Sequence, residues 1–460
     1  SRRRLTLEEK EDHDRFVISF PITETKIKLP SGLINGQNIE NLLNKLCAPV
    51  YDNRDFSKFQ IPFLCIATDI ESGEEVIFRE GYLPKVLRAS MSIPSIFTPI
   101  EIDDRLLVDG GVVNNFPVLR AKEMGADIII GVDVGFQYYE KEELNSMFRI
   151  IEQTVFFYGE ELNIQNKELC NYLIEPKLDK YNAGNFGNAD SIIQKGEEEA
   201  RKYFWQFKAL ADSMKMYDRS SNQKHAVNHL DSLTIMEIRV KGLNRVSDRL
   251  LSGKLQLEVF EKVTPSDIEE AINRLYSSLY FEKVSYEIEP LEEGIRLNIN
   301  VQEARGGQFR VGLHYDSHYK SSILINTTFR NILFDGSKFS ASFALGENPF
   351  FRLNYFKNNG WKPGFGFDFQ SNKLDVFLYE QGEKISSLAY SESKTSLYTQ
   401  SIFWNSYAIG AGIEYEAARL KPKIDPVLGL EEETNTYLNY FGKVEMDSYD
   451  NTNYPTKGIK

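Results

Sequence analysis

Apolar and polar residues alternate with a period of two from residue 306 onward. We count about nine alternating segments of about ten residues each, including KFSASFALG and YAIGAGIEYEA, with GFGFDFQ and LDVFLYEQ as two separate segments. Turn sequences such as FDGS and NNGWKPG stand between them. The pattern indicates an antiparallel outer-membrane β-barrel, although a soluble β-sandwich would give a similar alternation.

The first half of the chain has a different pattern. IPFLCIATDI (61–70) and ADIIIGVDVG (126–135) are apolar runs rich in β-branched residues, and they predict buried strands. LPKVLRASMSIP (83–94) and VLRAKEMG (118–125) have helical spacing and stop at a proline and a glycine. Strands alternating with helices favour an α/β domain with a mostly parallel sheet.

Between these halves lies a small unit. The segment 216–232 is polar and lacks periodicity, so it predicts a linker. Residues 233–304 then read as strand, two helices and two strands, with Pro265 and Asp267 where a helix start prefers them. We expect this unit to be a compact α+β domain.

Composition excludes several classes of partner and site. The net charge of -13 at pH 7 argues against a nucleic-acid partner. Cys47, Cys65 and Cys170 are too few and too widely spaced for a disulfide framework or a zinc site, and they are expected to be core residues. The sequence has no apolar run long enough for a transmembrane helix and no apolar signal segment at its charged start.

The strongest candidate chemistry lies in LLVDGGVVNNFPV (106–118), where Asp109 follows an apolar strand and precedes Gly110 and Gly111. A carboxylate at a strand end could accept a proton from a nucleophile, and glycines permit backbone angles and close approaches that side chains forbid. The alternative is a plain Asp-Gly turn. Asp69 and Asp133 are expected to be strand-end acids, and the five histidines all fall outside the α/β core.

The residues around Asp109 resemble those of a known protein family. The Ala-Thr-Asp strand, the Arg-Ala-Ser…Ile-Pro segment (88–94) and the Asp-Gly-Gly turn stand in the order found in bacterial patatin-like phospholipases. The resemblance implies a Ser–Asp dyad with Asp109 as the catalytic aspartate, Gly110 and Gly111 as its active-site turn, and neither metal nor cofactor.

One departure from that family concerns the nucleophile. Residues 1–460 contain no G-x-S-x-G sequence and no glycine-rich loop ahead of Asp109, whereas the family serine lies on such an elbow. The start also lacks Met, which predicts that the chain is cut from a longer protein whose serine lies upstream of Ser1. A pseudoenzyme is the alternative.

The other two units resemble a POTRA domain and the barrel of patatin-like outer-membrane proteins. The family barrel has about sixteen strands, so further strands are expected beyond the end of this chain. The predicted organisation is a C-terminal part of a patatin-like α/β hydrolase domain (1–215), a linker (216–232), a POTRA domain (233–304) and the first part of an outer-membrane β-barrel (305–460).

Two functions remain open at this point. The first is an outer-membrane lipid acyl hydrolase that acts on phospholipids or other lipid esters, with the POTRA domain in the periplasm and the side of the α/β domain unassigned. The second is a non-catalytic component for protein assembly or translocation, with a patatin-like scaffold. Other outer-membrane subunits or further copies of the chain are candidate partners. A soluble lipase with a β-sandwich is a third, weaker hypothesis.

Overall fold

The computed structural model describes residues 10, 18–23, 26–27, 32–135, 138–145, 147–157, 159–178, 181, 186–217, 232–304, 307–316, 320–359, 362–403, 406–424, 431–449 and 456–460. The chain divides into two compact units, Ser31–Leu230 and a unit formed by Ser1–Pro30 with Asp231–Lys460. Within the described ranges, no helix is both long enough and apolar enough to span a membrane.

The strands are β1 (Ile18–Thr23), β2 (Lys26–Ile27), β3 (Gly32–Ile34), β4 (Cys65–Asp69), β5 (Glu75–Phe78), β6 (Ser95–Phe97), β7 (Ile100–Ile102), β8 (Arg105–Asp109), β9 (Ile130–Val132), β10 (Tyr172–Ile174), β11 (Leu233–Lys241), β12 (Lys262–Val263), β13 (Phe281–Pro290), β14 (Ile295–Glu303), β15 (Gly307–Asp316), β16 (Lys320–Arg330), β17 (Ser337–Gly346), β18 (Phe350–Asn359), β19 (Lys362–Glu380), β20 (Glu383–Phe403), β21 (Tyr407–Ile424) and β22 (Glu433–Met446). The helices are α1 (Gln37–Cys47), α2 (Leu83–Ser90), α3 (Gly111–Asn114), α4 (Val118–Glu123), α5 (Met147–Phe156), α6 (Glu160–Glu168), α7 (Ala189–Arg201), α8 (Phe204–Tyr217), α9 (Asp248–Leu255) and α10 (Pro265–Tyr276). Short 3₁₀ turns cover Ala48–Val50, Phe56–Lys58 and Phe186–Asn188.

The main sheet of the α/β unit is antiparallel, so the expectation of a mostly parallel sheet is wrong. Its order is β5-β4-β8-β7, and every neighbouring pair is antiparallel. Asp103 and Asp104 have φ of 50° and 60° and close a two-residue hairpin between β7 and β8, which makes that pair antiparallel. Among the described strands of this unit, parallel pairing is confined to β3–β6 and β9–β10.

One core cluster of this unit forms where α2 covers the sheet. Ala67, Val76, Ala89, Ile100 and Leu107 pack together, with Phe78 and Ile102 partly buried against them. Helix α2 is shorter than its spacing predicted, because it ends at Ser90 and not at Pro94, and it has a proline in its first turn. The Asp109 strand is therefore held by a packed layer on one face.

The run 126–135 forms a shorter and less buried strand than predicted. Strand β9 covers only Ile130–Val132, and Ile129 is buried while the side chains of Ile128 and Val134 are exposed. The alternate residues of the run therefore face away from the local core, and the prediction of a fully buried strand is wrong.

Residues 233–304 fold as the predicted small α+β domain, with one additional short strand. Its sheet has the order β12-β11-β14-β13, with β11 and β14 parallel. Helix α10 starts with a capping box in which Thr264 accepts from the Asp267 N–H and the Asp267 carboxylate accepts from the Thr264 N–H. Ile268, Ile272 and Leu275 on this helix are fully buried.

The remaining strands form one large antiparallel sheet, in the order β2-β1-β15-β16-β17-β18-β19-β20-β21-β22. GFGFDFQ and LDVFLYEQ, predicted as separate segments, are both parts of β19, which is 19 residues long. Strand β1 lies inside the range predicted for the α/β domain but pairs with β15, Ile18 opposite Val311. The domain boundaries themselves stay a prediction.

The two faces of this sheet differ in polarity. One face carries exposed apolar side chains such as Leu313, Tyr440 and Val444, between 78% and 79% exposed. The other carries polar contacts such as the ion pair of Arg352 Nε with Asp368 Oδ2 at 2.8 Å. An apolar face opposite a polar one is the pattern of outer-membrane barrel strands, and the multidomain fold class is confirmed.

Candidate functional site

Asp109 ends β8, and its backbone is fixed from both sides. It lies opposite Ala67 of β4, and Thr68 Oγ1 donates a hydrogen bond to the Asp109 carbonyl at 3.0 Å. The Asp109 N–H donates to the Ser92 carbonyl at 3.0 Å. These bonds hold the strand end where the chain turns into α3.

The Asp109 carboxyl is partly buried and keeps one strong hydrogen bond. Its Oδ1 accepts from the Gly111 N–H at 2.8 Å, which closes an Asx turn at the start of α3. Burial raises the pKa of Asp109 to about 6, and the Gly111 N–H lowers it in part. A carboxyl with this pKa is ionised at neutral pH yet is a much better proton acceptor than an ordinary aspartate.

Close packing against the backbone requires Gly110, whereas the atoms nearest Gly111 belong to side chains that can move. A Cβ at Gly110 would press against the Ile66 carbonyl oxygen and lie 2.7 Å from its carbon. A Cβ at Gly111 would lie 2.6 Å from Asn115 Oδ1 and 3.0 Å from Asp109 Oδ1. The φ of Gly110 is -64°, an ordinary helical angle, so close approach and not an unusual backbone angle explains that glycine.

Arg88 and Ser92 support the turn, although the sequence pattern predicted no role for either of them. Arg88 is 1% exposed, and its Nη1 donates to Ser92 Oγ at 2.6 Å. Ser92 Oγ in turn donates to the Arg88 carbonyl at 2.8 Å, and the guanidinium lies 4.9 Å from the centre of the Phe97 ring. The Arg-Ala-Ser…Ile-Pro segment thus holds the carbonyl that accepts from Asp109.

The other candidate acids have local partners. Asp69 Oδ1 accepts from the Glu71 N–H at 3.0 Å, and Asp133 Oδ2 pairs with Lys167 Nζ at 2.5 Å. His314 lies on β15, and the remaining histidines lie outside the described residues. Of the predicted residues, the structure therefore brings together Asp109, Gly110 and Gly111.

Three segments of the chain match known families. Residues 5–122 match a family described as Patatin-like phospholipase, residues 233–304 match POTRA, described as Surface antigen variable number repeat, and residues 295–460 match the OMP85 superfamily. The chain thus combines the three kinds of segment that the resemblance predicted, and Asp109 lies in the first. The OMP85 and POTRA matches point to the outer membrane.

The related proteins are much longer than the region they share with this chain. Patatin-like phospholipase domain-containing protein 7 of Mus musculus is 27% identical over 189 residues, which is 35% of this chain and 14% of that protein. An uncharacterized NTE family protein of Mycobacterium bovis is 32% identical over 104 residues, 23% of this chain and 28% of that protein. Lysophospholipase nte1 of Emericella nidulans is 27% identical over 186 residues, 35% of this chain and 12% of that protein.

Solved structures similar to the chain share little sequence with it. BamA from Haemophilus ducreyi lacking POTRA domains 1-3 has a TM-score of 0.36 and 14% identity, over 49% of this chain and 46% of that one. CdiB from Acinetobacter baumannii has a TM-score of 0.29 and 11% identity, over 46% of each chain.

Proposed function

We propose that the protein is an outer-membrane lipid acyl hydrolase in which Asp109 is the base of a Ser–Asp dyad. The observation that carries the proposal is the Asp109 turn, where a partly buried carboxyl with a pKa raised to about 6 stands at a strand end inside the patatin-like segment. The hydrogen bond from the Gly111 N–H to Asp109 Oδ1 supports this role, since it holds the carboxyl in a defined orientation.

In the proposed reaction, Asp109 moves one proton twice. The serine oxygen attacks the ester carbonyl carbon while its proton passes to the Asp109 carboxylate. The tetrahedral intermediate then expels the alcohol portion of the lipid, which is a lysophospholipid or a glycerol. Its oxygen takes the proton from Asp109. Water then attacks the acyl-serine and gives one proton to Asp109. As the fatty acid is released, Asp109 returns this proton to the serine oxygen.

The nucleophile has to come from outside the 460 residues in this proposal. No G-x-S-x-G sequence occurs in them, so we place the serine and the oxyanion-binding amides in a part of the natural protein that precedes Ser1. The Asp109 turn then supplies the proton acceptor and its orientation, while the elbow supplies the attacking oxygen.

The setting of the reaction follows from the other two matched segments. The OMP85 segment would hold the protein in the outer membrane, and the POTRA domain would lie in the periplasm beside it. Phospholipids or other lipid esters of that membrane are the proposed substrates. A role in protein assembly or translocation without catalysis is the competing function.

Fluorophosphonate labelling of the natural full-length protein in native membranes tests the proposal. We expect an active serine to be labelled, and Asp109→Asn to lower the labelling rate by about 10²-fold or more, because general-base catalysis typically contributes that much. Asp69→Asn is the matched control, since Asp69 also ends a strand and accepts an N–H two residues on.

Two results would contradict the hydrolase. A folded protein that takes no label would favour the assembly or translocation function. Equal loss of labelling in Asp69→Asn and Asp109→Asn would show that the effect comes from damage to the sheet and not from the loss of a base.

A further inference from the structure

Helix α3, which follows the Asp109 turn, is too short to hold its own position. It covers only Gly111–Asn114, and the Val113 and Asn114 N–H groups donate to the Gly110 carbonyl at 3.1 and 2.9 Å. A single helical turn is marginal by itself, because it fixes several backbone angles for few hydrogen bonds. The Gly111 N–H that binds Asp109 Oδ1 therefore depends on contacts outside α3 for its position.

Asn114, the last residue of α3, is bonded through both ends of its side-chain amide. The residue is 4% exposed. Its Nδ2 donates to Glu75 Oε1 of β5 at 2.7 Å, and its Oδ1 accepts from Asn166 Nδ2 of α6 at 3.3 Å. This one side chain thus ties the short helix both to the sheet and to α6.

The two partners of Asn114 are themselves held in place. Glu75 Oε2 accepts from Arg120 Nε at 3.1 Å and pairs with Nη2 of the same guanidinium. Asn166 is 2% exposed, and its Oδ1 accepts from the Leu119 N–H at 3.3 Å. Arg120 and Leu119 both belong to α4, so these bonds also reach the helix that follows α3. A buried polar network whose members are bonded on both sides is rigid.

Helix α6 also approaches α3 through its backbone. Gly159 stands just before α6, and a Cβ on this glycine would lie 3.1 Å from the Val113 carbonyl oxygen. Such a close contact leaves α3 little room to move towards α6. The position of α3 is thus set by a close backbone approach and by the hydrogen bonds of Asn114.

We propose that Asn114 is a positioning residue for the Asp109 base and acts on it through α3. The proposal rests on the proposed function, because it concerns the orientation of the proton acceptor in that reaction. The Asn114 side chain bonds to Glu75 and Asn166, whereas the group that reaches Asp109 Oδ1 is the Gly111 N–H at the other end of α3. The effect therefore passes along the backbone of the helix.

Fluorophosphonate labelling of the natural full-length protein with Asn114→Ala tests the proposal. The substitution changes no charge, so Glu75 and Arg120 keep theirs. The Gly111 N–H lowers the pKa of Asp109, so a weakened bond should raise the pH of half-maximal labelling from about 6 by roughly half a unit. The maximal labelling rate should also fall about tenfold, because the carboxylate is held less well in line with the serine.

Asn44→Ala is the matched control for the loss of a buried amide. Asn44 lies on α1 of the same compact unit and is 2% exposed. Its Nδ2 donates to the Glu40 carbonyl at 2.9 Å, and its Oδ1 accepts from the Tyr82 hydroxyl. This control should lower the heat stability of the unit as Asn114→Ala does, but it should leave the pH of half-maximal labelling unchanged.

Asn166→Ala is a milder variant, because it leaves the bond between Asn114 and Glu75 in place. It should raise the pH of half-maximal labelling by less than Asn114→Ala, and it carries the test if Asn114→Ala does not fold. Hydrogen exchange gives a measurement that needs no active serine. Exchange of the Gly111 N–H should be about fivefold faster in Asn114→Ala than in Asn44→Ala.

The outcomes distinguish this inference from the hydrolase itself. If the protein takes label but Asn114→Ala changes the half-maximal pH no more than Asn44→Ala does, the positioning role is overturned and the hydrolase stands. The same conclusion holds if exchange at Gly111 becomes faster while the half-maximal pH does not move. Faster exchange at Gly111 that is specific to Asn114→Ala, in a protein that takes no label, would support the link between Asn114 and the turn and overturn the hydrolase.

Discussion

At the scale of single residues, the Asp109 carboxyl is governed by two opposing influences. Burial raises its pKa to about 6, and the hydrogen bond from the Gly111 N–H lowers it. Burial dominates because one donor replaces only part of the water that surrounds an exposed carboxylate. Since the carboxylate has to accept the serine proton, the proposed reaction needs the ionised form.

The pH dependence of labelling follows from this pKa. Protonation of Asp109 removes the acceptor, so the fluorophosphonate labelling rate should fall as the pH drops through about 6 and level off above about 7. If Asp109 had the pKa of an ordinary aspartate, the labelling rate would instead fall near pH 4. Labelling rates of the full-length protein over this range measure the midpoint.

Two comparisons make that measurement specific to Asp109. Asp69→Asn should leave the midpoint unchanged, because Asp69 lies at the end of a different strand. A wild-type midpoint near pH 4, or a midpoint near 6 that persists in the residual labelling of Asp109→Asn, would assign the titration to another group.

At the scale of elements, α2 and the turn after it act as one support for β8. Arg88 binds Ser92, and Ser92 accepts from the Asp109 N–H. Burial lowers the pKa of Arg88, and the Glu40 carboxylate offsets part of that effect. A buried cation held by a hydroxyl, an aromatic ring and backbone carbonyls is costly to truncate, because each partner then loses its donor.

Replacement of Arg88 should therefore loosen the site as well as the core. Arg88→Gln is expected to cost the α/β unit about 2–4 kcal/mol and to lower the temperature at which labelling is lost on heating. The matched control is Arg79→Gln, since Arg79 is half-exposed and its ion pair with Glu123 spans 3.7 Å. That control should change stability by less than about 0.5 kcal/mol. If the two variants are equally sensitive to heat, Arg88 does not support the Asp109 turn.

The elements differ in how far the sequence could predict them. Helix α2 was predictable from its spacing, although it ends four residues before Pro94, and the Asp109 turn was predictable from its two glycines. The antiparallel β7–β8 pair was not predictable, because its hairpin turns at Asp103 and Asp104, which look like a simple acidic pair in the sequence. The role of Ser92 could not be predicted for another reason. The group that holds Asp109 is the Ser92 backbone carbonyl, which every residue possesses.

At the scale of the whole molecule, the POTRA domain and the large sheet are joined closely. Strand β14 ends at Glu303 and β15 begins at Gly307. The residues of β14 fall in both the POTRA match and the OMP85 match. Glu303 also accepts the backbone N–H groups of Asn244, Arg245 and Val246, which ties the end of this strand to the loop after β11.

A buried hydrogen bond makes a second connection between these two parts. The Tyr280 hydroxyl, next to β13, donates to the Gly336 carbonyl at 2.7 Å, in the turn between β16 and β17. The same carbonyl accepts from the Asn358 N–H at 3.0 Å. Because the bond is buried, its loss should cost about 1 kcal/mol, equivalent to roughly fivefold in a local opening equilibrium.

Hydrogen exchange can detect this connection in the full-length protein. Tyr280→Phe should speed exchange in residues 331–336 and at Asn358 by about fivefold. Tyr355 provides the control, since its hydroxyl donates to the Ile332 carbonyl of the same turn at 3.0 Å but is exposed, so Tyr355→Phe should change exchange by less than about twofold. If both variants leave exchange unchanged, the Tyr280 bond contributes nothing measurable to the stability of this turn.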